Sequence, residues 1–238
     1  MGGKMYTKEI NERSPLRVFE KSIHGGLGKG NLGVVMSRAG IGKTALLIGI
    51  ALDDLMRGRQ VLHVSAKDSV DHVREFYDEI FEDLRRSSGM IDARETHLVV
   101  ERSRLIHTYR GVTMTALRLE RDTQFYKDHL NFQPEVVIVD GFDFGAADEA
   151  ALTEFKTYAK RHNVELWLSA LTHRHEPITN VKGIPNPVAR FEAWVSVMVL
   201  LKTLDGAVSL RLLKDHDNPN LEDLHMKLDP KTLLLANE

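Results

Sequence analysis

The chain has 238 residues, 42% hydrophobic and 28% charged, enough apolar material for the core of one large α/β domain or two small ones. A net charge of −2 supplies no global field toward DNA or an acidic membrane, so nucleic-acid binding would need a local patch. The absence of cysteine excludes disulfides and thiol chemistry and fits a reducing compartment.

Residues 1–13 are polar, lack the apolar core of a signal peptide and read as a flexible N-terminus; Tyr6 stands where a myristoylation motif needs Ser or Thr. No apolar run approaches bilayer-spanning length, so a cytoplasmic protein without membrane partners is expected. The apolar run Leu32-Gly33-Val34-Val35-Met36 predicts a strand that opens at Ser37 into the turn Arg38-Ala39-Gly40-Ile41-Gly42. Lys43-Thr44 and an apolar helical pattern over 45–56 follow. Strand, glycine turn, Lys-Thr and helix together form the arrangement whose backbone N–H groups surround a polyphosphate. Ser37 replaces the first glycine of G-x-x-x-x-G-K-[ST], at an expected cost in backbone freedom. The candidate nucleotide-binding residues are Ser37, Arg38, Ala39, Gly40, Ile41, Gly42, Lys43, Thr44 and Ala45. Lys43 would reach the β- and γ-phosphates of ATP, and the Thr44 hydroxyl would ligate Mg2+. The alternative is a tight turn before an ordinary buried helix.

Arg57-Gly58-Arg59 predicts a turn, 61–65 a second strand, and the apolar spacing of Val70, Val73, Phe76, Tyr77, Ile80, Phe81 and Leu84 an amphipathic helix that ends at Ser87-Ser88-Gly89. Residues 97–100 read as a short strand, 102–110 as an irregular basic stretch and 113–130 as a helix. The run 136–139 predicts a strand buried on both faces and ends at Asp140, the acid placed to hold Mg2+ through water. A helix over 148–162, a strand over 164–171 and a polar, proline-containing loop over 172–190 follow. The runs 195–201 and 207–213, joined through Asp205-Gly206, predict a hairpin. The expected fold is a three-layer α/β domain: a mostly parallel twisted sheet, helices on both faces, and a C-terminal antiparallel hairpin. No linker, repeat or low-complexity segment divides it; the domain is expected over 14–219, with 220–238 an extension packed on it.

The lead-in His24-Gly25-Gly26-Leu27-Gly28-Lys29-Gly30, the phosphate loop, the apolar strand ending at Asp140, Thr172-His173-Arg174 and Leu213-Lys214-Asp215-His216 resemble, in that order, the RecA/KaiC-like P-loop ATPases. The resemblance covers residues 14–219. It implies a RecA-like ATPase that binds ATP and Mg2+, hydrolyses slowly, and couples turnover to conformational change in a homo-oligomer, a ring or filament. It implies a base at the end of the second strand, where relatives carry a glutamate and often paired acids. Here Lys67-Asp68 stand there, so Asp68, one methylene shorter, is the candidate base; a helix-capping role for it is equally open. Asp143 is a poorer candidate. Lys214 matches a lysine that acts in trans on a neighbour's γ-phosphate, with His216 replacing a second cation, and the alternative is a solvent-exposed lysine. Thr172 matches a γ-phosphate sensor, although the residues after it also fit a plain polar loop. A metal role for His173 and His175 finds no companion ligands at suitable spacing.

DNA binding is possible but not favoured. The loop 141–149 is acidic, and 172–190 offers Arg174, Lys182 and Arg190 without an aromatic platform. A second basic group (Arg102, Arg104, His107, Tyr109, Arg110, Arg118, Arg121) has surface charge as its default reading. Two other functions compete with the ATPase: a nucleotide-binding regulatory module whose hydrolysis has lapsed, and a P-loop small-molecule kinase in which Asp68 activates an acceptor hydroxyl. The terminal hairpin and the lack of an Arg-rich helical lid argue against the kinase.

Overall fold

Strand and helix periodicities alternate along the chain, and the computed structural model, which describes residues 15–172, 180–204, 206–221 and 223–237, turns that alternation into a single sheet covered on both faces. Helix α1 (Pro15–Ser22) precedes β1 (Leu32–Ser37), α2 (Lys43–Met56) and β2 (Val61–Ser65). Then come α3 (Val70–Ser88), α4 (Ala93–Ser103), β3 (Arg104–Thr108), α5 (Ala116–Leu130), β4 (Val136–Asp140), α6 (Glu149–His162) and β5 (Glu165–Leu171). A 3-10 turn, Val188–Phe191, leads to β6 (Val197–Leu204), β7 (Ala207–Asp215), β8 (Met226–Leu228) and β9 (Leu235–Asn237). The sheet order is β3-β2-β4-β5-β1-β6-β7-β8-β9. Strands β3 to β6 in that order are mutually parallel, and β7, β8 and β9 add on antiparallel.

Alternation within each strand divides the core in two. On β1, Leu32, Val34 and Met36 join the core formed with α5 and α6, while Val35 joins the core formed with α1 to α4. On β4, Val137 and Val139 face the first of these and Val136 and Ile138 the second, so the strand is apolar throughout and buried on both sides. Asp140 continues the Val136–Ile138 register, toward the α2 layer. Gly33 on β1 lies opposite Trp167 on β5, and a Cβ there would fall 2.4 Å from the indole Cε3. The glycine is the space the buried indole occupies.

Two expectations are corrected. Residues 97–100 lie within α4, not in a strand, and the basic stretch 102–110 contains β3, the edge strand beside β2. Thr96 and Val100, four apart, are the buried positions of α4, whereas Leu98 and Val99 are 46% and 43% exposed. A β-branched run is thus carried on a helix that buries one narrow stripe. The strand nature of 104–108 is hidden because Arg104 packs its guanidinium over the Tyr77 ring, 4.4 Å from the centroid, so a charged residue fills a partly covered position. Residues 226–237 supply the two short strands β8 and β9, and α1 was also not anticipated. Of the hairpin turn, Asp205 lies outside the described residues, as do residues 1–14.

Candidate functional site

The carboxyl ends of the parallel strands bring the predicted residues together, as open α/β sheets do for ligands. The chain leaves β1 at Ser37, and the Thr172 N–H, just past β5, donates to the Ser37 carbonyl at 2.9 Å. Ser37 is buried and is not among the residues with positive φ, so the expected backbone cost of replacing glycine does not arise. Its hydroxyl donates to the Arg38 carbonyl at 2.7 Å and accepts from the Lys43 ammonium at 3.1 Å. Lys43 Nζ also donates to the carbonyls of Ser37 and Arg38, at 3.2 and 3.0 Å.

Left-handed Gly40 (φ 73°) and Gly42 (φ 116°) turn the chain into α2. Gly42 caps that helix without a side chain, whereas Ser69, Thr115 and Asp148 each accept an N–H bond at the starts of α3, α5 and α6. The first turn of α2 therefore keeps N–H groups that no capping side chain occupies. Thr44 Oγ1 donates to Asp140 Oδ2 at 2.6 Å, and the Ser169 hydroxyl donates to Asp140 Oδ1 while accepting from the Gly141 N–H at 2.7 Å. Both oxygens of this buried carboxylate are thereby oriented. Burial pulls the Lys43 pKa below its ordinary value; Asp140 opposes that shift and the nearby Lys67 adds to it.

Compared with known proteins, the chain matches no family model and no curated protein.

At the end of β2, the Ser65 hydroxyl accepts from the N–H groups of Lys67 and Asp68 at 3.2 and 2.9 Å, and Thr108 Oγ1 donates to the Asp68 carbonyl at 2.8 Å. Asp68 does not cap α3: Ser69 is the cap and accepts from the His72 N–H. Asp143 Oδ1 is engaged in its own turn, accepting from Gly145 and Ala146 N–H at 3.0 and 3.2 Å. Lys214 lies toward the opposite edge of the sheet, level with Met198 and hence with Val34. Its ammonium donates to the Glu192 carbonyl at 2.6 Å, and burial lowers its pKa, with Glu192 opposing and Lys182 adding. Neighbouring Asp215 is 1% exposed and lies between His24, from the glycine-rich lead-in, and His216, whose Nε2 meets the Leu27 carbonyl at 3.0 Å. Burial alone would raise the Asp215 carboxyl, but the bonds from His216, His24 and Asn218 outweigh it and hold its pKa below the usual range.

The basic group around 102–121 is partly spent on internal partners. Arg104 pairs with Glu101; Asp122 takes Arg121 and the Tyr109 hydroxyl, and lies 3.6 Å from His107. His173, Arg174 and His175 lie outside the described residues. A group the sequence reading missed is Asp78, His97 and Glu101 on the surface of α3 and α4, whose ligand-type atoms lie within 4.8 Å of one another. His97 and Glu101 are four apart on α4, a helical spacing hidden once 97–100 is read as a strand. His97 Nε2 meets Asp78 at 3.2 Å and Glu101 pairs with Arg104, so each is already partnered.

Proposed function

We propose that the chain is a RecA/KaiC-like P-loop domain that binds Mg-ATP and turns it over slowly, coupled to conformational change in a cytoplasmic homo-oligomer. One observation carries the reading: Lys43 at the uncapped start of α2, and Thr44 beside it donating at 2.6 Å to Asp140 from the end of β4. Free N–H groups at the positive end of a helix, with a lysine, favour a phosphate chain. A hydroxyl and a carboxylate are hard oxygen donors that suit Mg2+. Thr44 would ligate the ion and Asp140 hold it through water; when bound, it neutralises charge on the β- and γ-phosphate oxygens. Residues 37–45 would surround the phosphates and Thr172, tied to Ser37, would sense the terminal one. Asp68 would be the base, and Lys214 would act on a neighbour's nucleotide. DNA binding is not favoured in this reading, because Arg104 and Arg121 of the basic group already have acidic partners.

The second reading, a nucleotide-binding module without turnover, draws on the end of β2, where Lys67 precedes Asp68 in place of a second acid and the Asp68 carbonyl is anchored to β3. Calorimetry with millimolar Mg-ATP and phosphate-release assays test both. Wild type is expected to bind ATP, Lys43→Ala to lose binding, and Asp68→Ala to lose turnover. Binding without turnover selects the module, and no heat of association in wild type overturns the proposal.

A further inference from the structure

We propose that Lys67 is a second phosphate-binding cation of this site, reaching the terminal phosphate of the bound nucleotide from the end of β2 in the same subunit. The inference rests on the nucleotide-binding reading above. Ser65 lies opposite Asp140 across the β2–β4 pair, and the Ala66 N–H donates to the Asp140 carbonyl at 2.9 Å. The chain then folds back on the Ser65 hydroxyl, and the Lys67 stem lies across Gly141, the residue after Asp140. A Cβ at position 141 would sit 3.2 Å from Lys67 Cγ and 3.4 Å from Cδ and Cε, so the missing side chain is what admits the lysine. The stem is fixed while the residue remains exposed, which leaves the ammonium facing solvent beside the Asp140 edge.

The charges are unbalanced. Lys67 forms no ion pair among the described residues, and it is close enough to Lys43 to disfavour that residue's charge. Two ammonium groups around one carboxylate make a site for a polyanion, and charge-assisted bonds to phosphate oxygens are what relieve their repulsion. The terminal phosphate is selected because Lys67 lies on the far side of Asp140 from the loop, next to the acid that orders the metal. A charged ammonium cannot take a proton from water, so at this position it retains the triphosphate rather than activating its attack.

The experiment titrates the full chain with Mg-ATP and Mg-ADP, comparing wild type with Lys67→Met, which keeps the aliphatic stem on Gly141 and removes only the charge. ATP affinity is expected to fall about tenfold or more, the loss of one charged hydrogen bond. ADP affinity should move less than about threefold. Thermal melts check the fold, with Lys67→Gln substituted if the methionine variant melts early. Unchanged ATP affinity in a variant whose wild type binds ATP overturns the inference and leaves the nucleotide site standing. Equal losses for ATP and ADP overturn the terminal-phosphate assignment. Failure of wild type to bind either overturns the site and the inference together.

Discussion

His63 shows what a single buried side chain costs beneath the candidate site. It is 0% exposed on β2, its Nδ1 meets the Tyr77 hydroxyl at 3.1 Å, and its Nε2 has no partner among the described residues. Burial drives its pKa from 6.5 down to about 4, with Asp140 opposing the shift and Arg104 adding to it. The folded chain thus keeps a neutral imidazole over a range in which the unfolded chain takes up a proton. Stability is complete above pH 6.5 and is lost as pH falls toward 4, by roughly 3 kcal/mol. His63→Phe is expected to flatten that loss in urea titrations between pH 4 and 7. It should also lower stability at pH 7.5 by about 1–3 kcal/mol, because the Tyr77 hydroxyl loses its partner. The order Ser37 to Ala45 and the acid at 140 were legible because each is a local pattern with its own chemistry. Lys67 beside Lys43 was not, because only the backbone fold-back at Ser65 brings residues 24 positions apart in sequence to one edge.

At the level of elements, the strands legible in the sequence were those whose burial is symmetric. β4 and β1 are apolar on both faces, so no partner needs to be known to recognise them. β3 and α4 were misread because their assignment depends on neighbours: Arg104 on Tyr77, and Thr96 and Val100 under α4. The Gly33–Trp167 contact belongs to the same class, since only pairing of β1 with β5 explains the glycine. Gly33→Ala is expected to destabilise by about 1–3 kcal/mol, because the indole is 2% exposed and cannot yield without displacing its neighbours, Phe19 among them. A lower urea midpoint at unchanged slope would register it. If the site binds nucleotide as proposed, the same change should weaken that binding, because β1 and β5 together hold Ser37 to Thr172.

For the molecule as a whole, the sheet separates two sets of charges. Lys43, Asp140, Lys67 and Thr172 lie at the carboxyl ends of the parallel strands, and Lys214, Asp215, His216 and His24 lie toward the amino ends. Helix α2, 14 residues and hence about 20 Å long, starts at the first set with Lys43. Its last turn carries Asp53 and Asp54, whose pKa values burial raises to about 6 and about 7, against the opposing charges of Arg17, Arg57 and Arg59. If Lys214 serves a neighbour's site, Lys43→Ala and Lys214→Ala are each inactive alone, and mixing them under subunit exchange restores part of the phosphate release. A mixture that stays inactive, with exchange verified by mass, removes the shared site.

The distance between these two poles also constrains how copies of the chain can meet. Two molecules turned face to face would set both phosphate loops against each other and leave both Lys214 residues idle. If Lys214 serves a neighbour's site, front-to-back stacking would set the rear lysine of one molecule against the loop of the next. Such a contact repeats at every step: it closes when the rotation per copy divides a full circle, and otherwise grows without end.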